Sequence, residues 1–74
     1  MREKIVSILT EINEDIASYE GEGLLEEGII ASLDIIEIVS ALEDEFGIII
    51  AAKNITKENF ASVDSICALV ESLQ

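Results

Sequence analysis

The sequence predicts an all-α fold, a small bundle of three main helices plus one short helix. Three observations predict it. Apolar residues recur at helical spacing in three separate stretches. Proline is absent, and the glycines (Gly21, Gly23, Gly28 and Gly47) fall between those stretches. The one β-like run, Ile48-Ile49-Ile50, has no second strand to pair with.

Ile5, Ile8, Leu9, Ile12 and Ile16 form one apolar stripe, which predicts a first helix over residues 2 to 18. From Tyr19 to Ala31 the period fails and glycines supply turns, with Leu24 and Leu25 expected to pin this long loop to the core. A second helix starts at Ser32 and closes at Phe46-Gly47. On it Ile35, Ile38, Val39, Leu42 and Phe46 share the core stripe. Leu33, Glu37, Ser40 and Asp44 point the opposite way, and Ile36 lies on the flank. The isoleucine run is expected to tuck against the bundle as a connector, followed by a short helical turn over residues 55 to 60. Ser62 is expected to cap the last helix, with Val63, Ile66, Val70 and Leu73 facing inward. Segments this short hold only through tertiary packing.

Seventy-four residues, half of them hydrophobic, suffice for one small domain over residues 1–74 with an aliphatic core. The lone Cys67 excludes an internal disulfide and fits a reducing compartment. No apolar run follows a basic start, and no stretch reaches the length of a membrane span. With Met1 at its start and no long polar tail, the chain is expected to be a free-standing, soluble, cytoplasmic monomer.

Sixteen acids against four bases give a net charge of −12, and between Ile5 and Ala52 there are twelve acids and no Lys or Arg. Nucleic acid is excluded as a partner, because phosphate contacts need cations. An anionic membrane surface is equally unattractive. The partners implied are basic patches on other proteins, met through electrostatic steering.

Catalytic machinery is missing. Without histidine there is no imidazole for acid–base work, nucleophile activation or metal ligation. Cys67 sits on the inner stripe of the last helix, as a buried structural thiol does. There is no Gly-rich phosphate loop with its lysine and no calcium-hand spacing. Glu26-Glu27 and Glu43-Asp44-Glu45 attract divalent ions only as any anionic surface does. The chain is expected to be neither an enzyme nor a specific metal binder.

A glycine turn at Gly28 delivers Ser32 to the start of an acidic amphipathic helix. A hydroxyl placed there is either a helix cap or a chemical attachment point. Leu33 and Ile36, large apolar residues outside the core stripe and beside acids, suit a docking surface. Lone exposed apolar residues are also common, so the helix by itself leaves both readings open.

The segments Ala31-Ser32-Leu33-Asp34, Glu37-Ile38-Val39 and Ala41-Leu42-Glu43-Asp44-Glu45-Phe46-Gly47 resemble the acyl carrier proteins, the small acidic carriers of acyl synthesis. The resemblance runs over nearly the whole chain and is most specific between Leu25 and Phe46. It implies that Ser32 bears a 4′-phosphopantetheine arm, donated by coenzyme A, whose thiol holds an acyl group as a thioester in fatty-acid or related polyketide and lipid biosynthesis. It also implies that Leu33, Asp34, Ile36, Glu37 and Asp44 form the surface met by a phosphopantetheinyl transferase and by acyl-transferring or acyl-modifying enzymes with basic patches.

The sequence departs from the family's Asp-Ser-Leu at Ala31. Replacing an N-cap aspartate by alanine costs roughly 1 kcal/mol of helix stability. The Ser32 hydroxyl is then a candidate replacement cap, in competition with its use as a nucleophile. Two alternatives follow. One is an aminoacyl, D-alanyl or peptidyl carrier, although the peptidyl type usually has Gly-Gly and a His or Asp where this chain reads Ile30-Ala31. The other is a carrier-like acidic interaction module, poorly modified because of Ala31.

Overall fold

A computed structural model describes residues 2–74. The helical periods fold as α1 (Arg2–Ile12), the four-residue α2 (Asp15–Ser18), α3 (Ser32–Phe46) and α4 (Val63–Leu73). A single 3-10 turn, Ala52–Asn54, lies between α3 and α4. Among the described residues there is no strand. The fold is a small all-α bundle.

The stripes meet in one aliphatic core. Ile5 and Leu9 of α1, Ile16 of α2, Ile38 and Leu42 of α3, and Ile66 and Val70 of α4 are essentially fully buried. Val39, Phe46, Val63 and Leu73 pack against this core while partly exposed. Its one large aromatic ring is Phe60. No cavity opens among the described residues. The accessible surface, 4464 Å², is close to the roughly 4,450 Å² expected of a folded monomer of this mass.

The first helix is shorter than its apolar spacing predicts. Ile12 and Ile16 keep the period, but the helix breaks between them at Asn13-Glu14. The Asn13 side chain causes the break. Its Oδ1 accepts from the Asp15 backbone N–H at 3.0 Å, an Asx turn that competes with the helical ladder. The short helix expected over residues 55 to 60 lies earlier, as the 3-10 turn in which Asn54 Oδ1 accepts from Ala51 N–H at 3.1 Å. Residues 56 to 60 keep one isolated turn of helical type, with Phe60 N–H donating to the Thr56 carbonyl at 3.1 Å, that is not continued into a helix. The isoleucine connector is tucked in at Ile48 and Ile50 only, since Ile49 is 80% exposed. Glu43 Oε2, accepting from Ile50 N–H at 2.8 Å, holds the connector against α3.

The long loop before α3 is tied down as Leu24 and Leu25 predict. Leu24 is fully buried and donates its N–H to the Ala61 carbonyl at 3.0 Å. Its own carbonyl accepts from both Ile29 and Ile30 N–H, at 2.9 and 3.1 Å. Tyr19 clamps the same loop, donating its hydroxyl to Glu27 and accepting from Gly23 N–H. Gly28 at φ +76° makes the turn toward Ser32, and Gly47 at φ +63° ends α3. Ser62 caps α4 as expected, its Oγ accepting from Ser65 N–H at 3.1 Å.

The cations also tie elements together. Lys4, in the first turn of α1, pairs with Glu45, in the last turn of α3, at 2.9 Å, so these helices run antiparallel. Arg2 pairs with Asp64 in the first turn of α4, and Lys57 pairs with Glu26 of the loop. All three pairs are exposed, and each contributes little to stability.

Candidate functional site

The N-terminus of α3 is open. Ala31 is the N-cap in extended conformation (φ −111°, ψ 177°), and it has no side-chain oxygen to offer the first turn. Only the return half of a capping box forms, with Asp34 Oδ2 accepting from Ala31 N–H at 3.0 Å. Ser32 therefore occupies the first helical position rather than the cap. The competition between capping and nucleophilic use, expected from the loss of the aspartate, does not arise. Among the described residues the Ser32 hydroxyl has no hydrogen-bond partner, and the residue is exposed. Without a side-chain cap, donors of the first turn of α3 are left for water or for an anion, and the helix dipole favours negative charge at this point.

Around Ser32 the exposed face matches the sequence expectation in most positions. Leu33 is 74% exposed and Ile36 is 63% exposed, and Ile36 stands one turn above Ser32 on the same side of the helix. Glu37 is exposed on the next turn from Leu33. Asp44 is exposed on the Leu33–Glu37 side, but it lies about 18 Å along the axis from Ser32 at 1.5 Å per residue. It belongs to the far end of the face.

Asp34 departs from the expected arrangement. It is half-buried, and its Oδ2 is engaged by Ala31 N–H and by Asn13 Nδ2 at 3.3 Å. This carboxylate holds the entry to α3 in place and is not a free docking group. In the sequence Asn13 is signalled only by an asparagine two residues before an aspartate. The exposure of Ile49 is concealed there by its apolar neighbours.

Of the twelve acids between Ile5 and Ala52, Glu26 and Glu45 meet lysines. Glu27, Asp34 and Glu43 accept hydrogen bonds. The others, Glu37 and Asp44 among them, have no side-chain partner among the described residues, so the face beside Ser32 carries unneutralised negative charge. Cys67 is buried in α4, and burial raises its thiol pKa, with Arg2 pulling the other way. Such a thiol is a poor nucleophile. No cluster with metal-ligand geometry occurs among the described residues, and no helix is long and apolar enough to cross a membrane.

These features define a small helical bundle that presents one free serine hydroxyl at a helix N-terminus, beside an acidic and apolar face. No protein-family model and no curated protein matches the sequence.

Proposed function

We propose that this chain is an acyl carrier, with Ser32 as the attachment point of 4′-phosphopantetheine. The observation that carries the reading is the Ser32 hydroxyl, exposed and unbonded at the first position of α3 with Leu33, Ile36 and Glu37 beside it. A phosphodiester fits this position, because the open first turn and the helix dipole both favour an anion there. Attachment forms an Oγ–phosphorus bond at Ser32 and breaks the pyrophosphate link of coenzyme A, releasing adenosine 3′,5′-bisphosphate and the hydroxyl proton. Once bound, the arm supplies a terminal thiol on which an acyl group is held as a thioester.

The protein's own part is position and recognition. Leu33 and Ile36 offer apolar anchors, and Glu37 and Asp44 attract basic surfaces of the transferase and of acyl-handling enzymes. Charge of one sign suits brief encounters with several such partners in turn. The single free thiol agrees with work in the cytoplasm. Acyl cargo is favoured over aminoacyl cargo by the resemblance of the Ser32 segment and the Ala41–Gly47 segment to acyl carriers.

The test is arm installation by a phosphopantetheinyl transferase and coenzyme A, followed by charging with a panel of acyl and aminoacyl donors. Thioester formation with acyl donors is the expected result. Selective aminoacyl loading would move the chain to the aminoacyl class. Failure of arm installation on the folded chain would leave the acidic interaction module as the better reading.

A further inference from the structure

We infer that Asn13 is the positioning residue for Ser32, fixing the segment from Ile29 to Asp34 against the end of α1; this rests on reading Ser32 as the attachment point. Asn13 joins four pieces of chain, one through its backbone and three through its side-chain amide. Its backbone N–H donates to the Leu9 carbonyl at 2.9 Å, which keeps it on the last turn of α1. Its Oδ1 accepts from Asp15 N–H at 3.0 Å. Its Nδ2 donates to the Ile29 carbonyl at 2.8 Å and reaches Asp34 Oδ2 at 3.3 Å. Asp34 Oδ2 in turn accepts from Ala31 N–H at 3.0 Å. Ser32 lies between the two residues this network holds, Ala31 and Asp34, while its own hydroxyl stays outside the network.

The network is needed because the usual device is missing. A side-chain cap at Ala31 would fix the entry angle of α3 from within the helix. Here the entry is fixed from outside, through Asp34 and Asn13, and the Ser32 hydroxyl is left unused. The break of α1 at Asn13 is part of the same arrangement, since a continuous helix would not turn both ends of the amide toward these partners.

Positioning and plain stability separate in the kinetics of arm transfer, where the carrier is the substrate. Loss of folded protein lowers the effective carrier concentration, so the apparent KM rises with kcat unchanged. Misplacement of the hydroxyl leaves Leu33, Ile36 and Glu37 able to dock, so kcat falls with KM unchanged.

The experiment measures both constants for wild type and Asn13→Ala with a phosphopantetheinyl transferase and coenzyme A. Amide exchange at Ala31 and at buried Leu42 is followed in parallel. The expected result is a roughly tenfold fall in kcat and roughly tenfold faster exchange at Ala31, the size of one or two hydrogen bonds, with KM and Leu42 exchange unchanged.

A further variant covers the case in which Asn13→Ala does not fold. Asn13→Asp keeps an oxygen for the Asp15 N–H but sets a carboxylate where the Ile29 carbonyl and Asp34 Oδ2 need a donor, so Ala31 exchange should quicken as in Asn13→Ala. Wild-type Ala31 exchange in Asn13→Asp, or an Asn13→Ala protein with wild-type kcat, overturns the positioning role and leaves the carrier reading standing. A raised KM with faster Leu42 exchange overturns it in favour of a purely structural asparagine. A wild-type chain that never gains the arm overturns both.

Discussion

Replacing Ala31 by asparagine should stabilise the protein. Ala31 is exposed, extended and at the N-cap, so the new side chain meets no core and no backbone strain. Its oxygen would accept from a first-turn N–H that now has no side-chain partner. An N-cap of this kind contributes about 1 kcal/mol over alanine. For a domain of this size that corresponds to a rise in Tm of roughly 4–8 °C. Aspartate at the same position should gain less at low ionic strength, because its charge would stand beside the Asp34 carboxylate, whose Oδ2 is 3.0 Å from Ala31 N. At about 0.1 M salt, where the Debye length is about 10 Å, the gap between the two variants should narrow without closing, because the two carboxylates lie within that length. Thermal melts of wild type, Ala31→Asn and Ala31→Asp at low and moderate NaCl measure both effects. An unchanged midpoint for Ala31→Asn would refute the open-cap account of α3. An aspartate variant indifferent to salt would refute the charge argument.

The remaining predictions concern charge, pH and the end of α3. Screening salt should raise Tm, and millimolar magnesium should raise it further, because the acidic stretch from Ile5 to Ala52 holds no base of its own; one midpoint across low salt, NaCl and magnesium would refute this. Burial raises the Cys67 thiol pKa, and desolvation together with the bond to Glu27 raises that of the Tyr19 phenol. Both groups stay protonated in the fold where the unfolded chain already ionises them. Their stabilisation is complete below the unfolded-state values and is lost as pH rises through the folded ones, so Tm should fall from roughly pH 8.5 upward. The fall should be shallower in Cys67→Ala, and parallel pH profiles would contradict the assignment. Gly47→Ala should cost about 1 kcal/mol, measured by denaturant melts. The site is open and only the left-handed φ of +63° opposes a side chain, so a neutral result would mean that the turn relaxes.

The sequence made the cores of α3 and α4 legible because their apolar period and their boundaries agree. Gly47 ends α3 in the left-handed conformation, and Ser62 caps α4, as residues of those types do. The end of α1 was not legible from periodicity. Ile12 and Ile16 both point inward, and only the hydrogen bonds of one asparagine side chain show that the helix stops between them. The 3-10 turn was displaced for a similar reason, since Asn54 and not the following apolar residues sets it. At the candidate site, exposure of Leu33, Ile36 and Glu37 could be read from the helical wheel. The roles of Ser32 and Asp34 could not, because they depend on which atom accepts from Ala31 N–H. Asp34 takes that bond, and the serine is left free.

Fragment-resolved mass measurement of the folded chain, after incubation with coenzyme A and a phosphopantetheinyl transferase, decides whether the Ser32 hydroxyl is an attachment point. A gain of one phosphopantetheine is expected on the peptide containing Ser32, abolished in Ser32→Ala while the helical circular dichroism is retained. No gain on the wild-type chain, with the same transferase active on another carrier, would contradict it, as would a gain at Ser40 or Ser62 instead.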